Sequence, residues 1–102
     1  MLTINKTTDG ENVTVSLEGR FDAGSVSQLE AELEGTLKHA KTLVFDLQGL
    51  ESITTAGLRV LLSAQKQMNG QGRMRLVNVG DAVMQTMELR GLSDIFNVSE
   101  PE

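Results

Sequence analysis

The sequence predicts a single α/β domain, a mixed β-sheet with helices packed mainly on one face. Three features carry this prediction: a segment of period-2 alternation near the start, two later apolar segments that fit buried strands, and helical periodicity in the stretches that follow strands. The 102 residues match the usual size of one domain. We therefore expect one domain at 1–98 and a short acidic tail at 99–102.

The first two strands are expected to form a hairpin. Residues 12–19, NVTVSLEG, alternate apolar and polar side chains, as a half-buried strand does. Residues 2–7, LTINKT, alternate more weakly and can pair with that strand through the turn residues Asp9 and Gly10.

Two later segments fit strands inside the sheet. TLVFDL at 42–47 has an apolar centre without a polar face, and RMRLVNV at 73–79 is of the same kind. Roughly 25 residues separate them, which is enough for a helical crossover between parallel neighbours. We expect a turn at Gln48 and Gly49 after the first segment, and a short edge strand at 95–99.

The first helix is predicted to begin near Ser25. The residues SVSQ fit a capping box with Ser25 at the N-cap and Gln28 three residues later. Its apolar side continues at helical spacing as one helix through Val26, Leu29, Leu33, Leu37 and Ala40.

Two further helices follow the buried strands. The second is predicted at 56–68, with Leu58 and Leu61 facing the sheet. The third is predicted at 81–90, with Asp81 as its N-cap. Gly91 fits the left-handed position after a helix end, where Leu92 can close back on Met87.

Composition excludes several classes of function. The chain has 14 acidic against 9 basic residues and a net charge of -5, which repels nucleic acid and anionic membranes. It has no cysteine, which excludes disulfides, thiol nucleophiles and Cys-ligated zinc. No apolar run is long enough for a signal or a membrane span. We expect a cytoplasmic protein without a nucleic-acid partner or membrane insertion.

The segment SITTAG at 52–57 places Thr54 and Thr55 where a buried strand changes to a helix, an edge at which ligand and partner sites tend to lie. Two interpretations remain open for these hydroxyls. One hydroxyl can cap the helix by accepting a hydrogen bond from a free backbone N–H. The same place can receive a phosphate, because a helix N-terminus favours an anion. The two uses compete for the same oxygen.

Three aspartates, Asp22, Asp46 and Asp81, stand beside turns or helix starts and fit capping and turn positions better than a metal site. A metal enzyme needs further ligands or a base, and the only histidine, His39, is placed at a helix end away from this edge. We predict no metal, no cofactor and no enzymatic activity.

The segment VFDLQGLESITTAGLRVLL at 44–62 resembles the signature of the STAS domain, the fold of bacterial anti-sigma factor antagonists. VTVSLEGRFDAGSVSQLEAEL at 13–33 resembles that family's strand and first helix, and GDAVMQTMELRGLSDIFNV at 80–98 resembles its last helix and closing strand. The resemblance covers nearly the whole chain and implies a STAS fold.

The resemblance implies a phospho-switched binding module. Unphosphorylated members bind an anti-sigma factor of the Ser/Thr kinase type, and a PP2C-type phosphatase reverses the phosphorylation. The family's acceptor stretch reads Asp-Ser-Ser/Thr-Gly, where this chain has Thr54-Thr55-Ala56-Gly57. Counting back from the shared glycine, Gly57, the resemblance makes Thr55 the expected phosphoacceptor and Thr54, at the position of the usual aspartate, the second choice. The partner-binding residues that the resemblance implies are Asp22, Ser25, Thr54, Thr55, Ala56 and Gly57.

A second class of function also fits the resemblance. In this alternative the chain is a constitutive scaffold STAS subunit, bound to a partner such as an ABC transporter ATPase, and the threonine serves contact instead of regulation. A catalytic function is disfavoured because no general base accompanies the two hydroxyls.

Overall fold

The computed structural model describes residues 2–91; Leu92, the strand predicted at 95–99 and the tail at 99–102 lie outside this range. The described residues form a four-stranded sheet in the order β1-β2-β3-β4. The strands are β1 (Leu2–Asp9), β2 (Asn12–Phe21), β3 (Thr42–Ile53) and β4 (Arg73–Val77). β1 and β2 are antiparallel, whereas β2, β3 and β4 run parallel. The predicted mixed sheet is confirmed.

The predicted hairpin of β1 and β2 is also confirmed. Asp9 pairs with Asn12, so that Gly10 and Glu11 form the connection. Gly10 has φ 62°, a left-handed conformation that the tight turn requires and that glycine adopts without strain.

Helices connect the parallel strands. They are a 3-10 turn (Ala23–Ser25), α1 (Val26–Leu33), α2 (Thr36–His39), α3 (Thr55–Asn69) and α4 (Asp81–Leu89). α1 and α2 cross from β2 to β3, and α3 crosses from β3 to β4. The prediction of one continuous first helix is wrong, because Gly35 has φ 81° between α1 and α2 and a right-handed helix cannot continue through that conformation.

The predicted capping box is wrong as well. Ser25 does stand at the N-cap of α1, but its side chain makes no capping hydrogen bond. The 3-10 turn already places Ser25 in the helical region, with φ -99° and ψ -8°, whereas a capping side chain needs an extended backbone to fold over the helix end. The Gln28 amide instead donates to the Leu2 carbonyl, 2.9 Å away.

β3 is longer than the sequence predicts, and the prediction of a turn at Gln48 and Gly49 is wrong, because both residues belong to the strand. The strand continues to Ile53 through two shifts of register against β2, which are β-bulges. A Cβ at Gly49 would lie 2.6 Å from Glu18 Cγ, so glycine allows the two strands to approach here. The Asp46 carboxylate accepts the Gln48 N–H at 3.1 Å and supports the irregular backbone.

The bulges change which side chains of β3 face the core. Leu43, Phe45 and Leu47 are buried at the alternation of a regular strand. Beyond the first bulge, Leu50 and Ile53 are buried at every third position instead. An apolar face therefore extends to the very end of β3, where α3 begins.

α3 packs on this apolar face. Leu58 is 1 % exposed and Leu61 is 0 % exposed, which confirms that both belong to the core. The helix contacts β3 and β4 as well as α1 and α2. In the described range, no helix has the length and apolar character that crossing a membrane requires.

The start of α4 differs from the prediction by one residue. Gly80 is the N-cap and Asp81 is the first helical residue, so the prediction of Asp81 as N-cap is wrong. The carboxylate of Asp81 still lies in the first turn, where it favours the helix dipole. Gly91 has φ 68°, which confirms the left-handed position predicted after the helix.

Candidate functional site

Two parallel strands end side by side at one edge of the sheet. Phe21 at the end of β2 is paired with Ile53 at the end of β3. The Thr54 N–H then donates to the Phe21 carbonyl at 3.0 Å, which continues the pairing beyond the strands. Asp22 directly follows β2, and Thr55 follows Thr54 after β3. The two residues are thereby brought to the same edge of the sheet, as the sequence predicts.

Thr54 caps α3. Its backbone is extended, with φ -95° and ψ 173°, and its hydroxyl oxygen accepts the Gly57 N–H at 3.4 Å. The same hydroxyl lies 3.4 Å from the Phe21 carbonyl, to which it donates. The prediction that one of the two threonines caps this helix is confirmed, and the capping residue is Thr54.

Thr55 is the first residue of α3 and is half-buried. Its hydroxyl makes no hydrogen bond with the part of the chain that the structure describes. Within residues 2–91, Gln65 Oε1 is the only fully buried side-chain polar atom that lacks a partner. Thr54 is the more exposed residue of the two, but its hydroxyl is bonded to the backbone, whereas the hydroxyl of Thr55 makes no such bond within residues 2–91.

Gly57 seats the first turn of α3 on the strand ends. A Cβ at this position would lie 2.9 Å from Ile53 Cγ1 and 3.0 Å from Phe21 Cγ, closer than packing allows. Gly57 is buried and Ala56 is half-buried. Gly57, one of the residues predicted for partner binding, is thus buried under the edge and allows α3 to pack closely on the two strand ends.

Asp22 is exposed at the same edge, and its neighbour Ser25 is 5 % exposed. The Ser25 hydroxyl donates to Asp22 Oδ1 at 3.2 Å, and the Ser25 N–H donates to the Asp22 carbonyl at 3.0 Å. Ser25, also predicted for partner binding, lies beneath the surface and holds the carboxylate in place. The 3-10 turn, which follows Asp22 and ends at Ser25, packs against α3.

The other predicted aspartates lie elsewhere. Asp46 is paired with Val77, the last residue of β4, while β3 continues well beyond it to the edge with Thr54. Asp81 follows at the start of α4, and His39 ends α2. Across residues 2–91, the structure has no group of three or more His, Asp or Glu side chains arranged to hold a metal ion.

Two polar residues that bear on this region were given no role by the sequence-based predictions. Asn78 has φ 55°, and its amide donates to the Asp46 carboxylate at 3.1 Å, which ties the loop before α4 to β3. An asparagine directly after a strand was the available signal, because asparagine tolerates the left-handed conformation better than most residues. Arg59 was also missed: it is exposed and lies one helical turn after Thr55.

Comparison with known proteins identifies similar chains. The family described as "Mlab, STAS domain" matches residues 4–98. A protein named putative anti-sigma factor antagonist BtrV, from Bordetella bronchiseptica, is 36% identical over 85 residues, which cover 81% of this chain and 73% of that protein.

Solved structures share the fold at lower identity. An anti-sigma factor antagonist from Mycobacterium paratuberculosis has a TM-score of 0.86 at 22% identity, over 96% of this chain and 85% of that one. SpoIIAA, an anti-sigma factor antagonist, gives 0.82 at 19% identity in its unphosphorylated form, over 95% of this chain and 88% of that one. The phosphorylated form of SpoIIAA from Bacillus gives 0.74 at 18% identity, over 95% and 91%.

Proposed function

Because this chain belongs to the STAS-domain family, we propose that it is an anti-sigma factor antagonist, a binding module without enzymatic activity of its own. In its unphosphorylated state it binds an anti-sigma factor of the Ser/Thr kinase type. Phosphorylation of Thr55 by that kinase ends the binding, and a PP2C-type phosphatase restores it.

Two relatives support the proposal. BtrV carries the name of a putative anti-sigma factor antagonist and is the more similar of the two in sequence. SpoIIAA is known in an unphosphorylated and a phosphorylated form, so a protein of this fold accepts a phosphate.

The observation that carries the residue assignment is the difference between the two threonine hydroxyls. The Thr54 hydroxyl accepts the Gly57 N–H and donates its own proton to the Phe21 carbonyl, and a phosphate on Thr54 Oγ1 would remove that proton and place negative charge against the Phe21 carbonyl oxygen. The Thr55 hydroxyl is free of such bonds within residues 2–91. Transfer of the γ-phosphoryl group of ATP to Thr55 Oγ1, with ADP as leaving group and the hydroxyl proton passing to a base of the kinase, leaves the cap intact.

The expected consequence of this phosphate is electrostatic. It adds about 1.5 to 2 negative charges at neutral pH, at the edge that carries Asp22, on a chain whose net charge is already -5. A partner that docks on this edge in the unphosphorylated state then meets repulsion and a bulkier surface. The start of a helix favours an anion, so α3 remains folded.

The test of the acceptor is incubation of the full chain with ATP and a histidine-kinase-like anti-sigma factor encoded beside it. Thr55→Val and Thr54→Val form the matched pair, since each removes one hydroxyl and keeps the β-branched shape. Intact mass and peptide mapping should show one phosphate on the parent chain and on Thr54→Val, and none on Thr55→Val. Phosphate on Thr54 alone would refute the residue assignment.

A binding assay tests the switch itself. Thr55→Glu should weaken binding to the kinase by about tenfold or more, which corresponds to about 1.4 kcal/mol, while the melting temperature changes little. Thr55→Gln is the control, because it has the size of glutamate without the charge and should bind more tightly than Thr55→Glu. Equal binding by these two variants would show that charge at this position does not operate the switch.

The scaffold alternative predicts a different pair of results. A constitutive subunit would take no phosphate from any anti-sigma-type kinase and would bind a transporter ATPase tightly. That combination would replace the proposed function, and the Thr55 hydroxyl would then be a contact group.

A further inference from the structure

We propose that Arg59 forms an ion pair with the phosphate on Thr55 and fixes its position on the surface of α3. This inference rests on the phosphorylation proposed above and concerns what the chain does with the phosphate once it is present.

The geometry comes from the spacing on one helix. Thr55 and Arg59 are four residues apart on α3, so that they lie on the same face with about 5 to 6 Å between their Cβ atoms. Side chains of helical residues lean toward the N-terminus of their helix. The exposed Arg59 side chain therefore extends over the turn that begins with Thr55, and its length suffices to reach a phosphate there.

The distribution of charge on α3 also favours an ion pair between Arg59 and a phosphate on Thr55. The first turn of α3 contains no acidic residue, and a cation close to a helix N-terminus gains nothing from the helix dipole. The one ion pair among residues 2–91 joins Lys6 to Glu32, so Arg59 has no carboxylate partner within that range. The helix dipole thus gives no reason for a cation at Arg59, whereas an added phosphate supplies the anion that a guanidinium binds through two parallel hydrogen bonds.

The phosphate would then lie between two opposite charges. Asp22 repels it from the side of the 3-10 turn, and Arg59 attracts it from α3. Arg20 and Glu51 are the other exposed charges near these two strand ends. A phosphate drawn along α3 by Arg59 keeps its second negative charge at neutral pH and presents it at one defined place, which makes the phosphorylated surface distinct from the unphosphorylated one.

The experiment uses the full chain with phosphothreonine installed at position 55 by genetic encoding, so that no kinase is needed. Titration followed by 31P NMR gives the second pKa of the phosphate. Arg59→Gln should raise this pKa by about half a unit, roughly threefold in proton affinity, and Asp22→Asn should lower it. Lys66→Gln, an exposed cation in the last turn of the same helix, should leave it unchanged. The shift from Arg59→Gln should shrink at high salt.

Equal pKa values for the parent, Arg59→Gln and Lys66→Gln chains would overturn the inference. Arg59→Lys keeps the charge and should retain most of the effect, which separates an ion pair from a packing change. If Arg59→Gln instead weakened binding of the unphosphorylated chain to the anti-sigma factor without moving the phosphate pKa, Arg59 would be a partner contact and the inference would be wrong. Failure of the proposed function would appear separately, as absence of phosphate in the kinase assay.

Discussion

α1 and α3 both follow a parallel strand and both begin at the same edge of the sheet, yet their first turns use a hydroxyl in different ways. Thr54 has an extended backbone and turns its hydroxyl onto the N–H of Gly57. Ser25 has a helical backbone, because it is the last residue of a 3-10 turn, and its hydroxyl donates to the Asp22 carboxylate.

This difference gives the two helix starts different parts in the proposed switch. At α3 the backbone is satisfied by Thr54, which leaves the hydroxyl of Thr55 available for modification. At α1 the hydroxyl of Ser25 holds a carboxylate that faces solvent beside it. The start of α3 carries the Thr55 hydroxyl, which is proposed to be phosphorylated. The start of α1 lies beside the Asp22 carboxylate, a fixed negative charge that would repel the added phosphate.

The largest effect is expected from the core beneath α3. Leu61→Ala should lower the free energy of unfolding by about 2 to 5 kcal/mol, because it leaves a cavity under a fully buried side chain. Leu62→Ala, at a half-buried position next to it, should cost less. Denaturant titration with fixed m-value measures both. A change below about 0.5 kcal/mol for Leu61→Ala, as at a surface position, would contradict the packing of α3 on the sheet.

The next effect compares a glycine from each helix start. Gly57→Ala should cost about 1 to 2 kcal/mol, since crowding of Phe21 and Ile53 outweighs the higher helix propensity of alanine. Gly24→Ala should be nearly neutral, because its Cβ would lie 3.4 Å from Asp22 Oδ1, an ordinary contact. Thermal melts of the two variants side by side provide the measurement. Similar losses for both would mean that α3 does not rest more closely on the strands than the 3-10 turn does.

A smaller effect separates the two hydroxyls of α3 from each other. Thr54→Ala should destabilise the chain by about 1 kcal/mol, the usual value of an N-cap, and Thr54→Ser should restore most of it. Thr55→Ala should cost less than Thr54→Ala, because its hydroxyl bonds no group within residues 2–91. Chemical denaturation of the three variants decides the order, and a larger loss at Thr55 would reassign the cap.

The smallest effect is expected at Ser25. Ser25→Ala removes a hydrogen bond to an exposed carboxylate that water can solvate instead, so the loss should be about 0.5 kcal/mol, the low end for a hydrogen bond. The same variant should alter partner binding more than stability, because Asp22 is then no longer held. Affinity and unfolding measured on one preparation test this. A loss as large as that of Thr54→Ala would mean that Ser25 caps α1 after all.

Local sequence patterns determined much of the secondary structure of this protein. The alternation at 12–19, the apolar segment at 42–47 and the helical spacing of Leu58 and Leu61 gave strands and a helix that the structure confirms. These predictions hold because period-2 and period-3.6 burial arise from the geometry of the backbone itself. A threonine cap at the start of α3 was predicted for a similar reason, because the capping bond from the Gly57 N–H to the Thr54 hydroxyl joins residues only three apart in the sequence.

Tertiary structure decided what depends on a neighbouring strand or helix. The turn predicted after Asp46 is a bulged continuation of β3, because pairing with β2 carries the chain on to Ile53. The sequence predicts that the Ser25 hydroxyl caps its own helix. In the structure Ser25 belongs to a 3-10 turn, and its hydroxyl donates to the Asp22 carboxylate instead. Which of the two threonines, Thr54 or Thr55, caps α3 was likewise decided only by the fold. Either of two adjacent threonines can cap a helix that follows them, and pairing of the Thr54 N–H with the Phe21 carbonyl of the next strand holds Thr54 extended at the capping position.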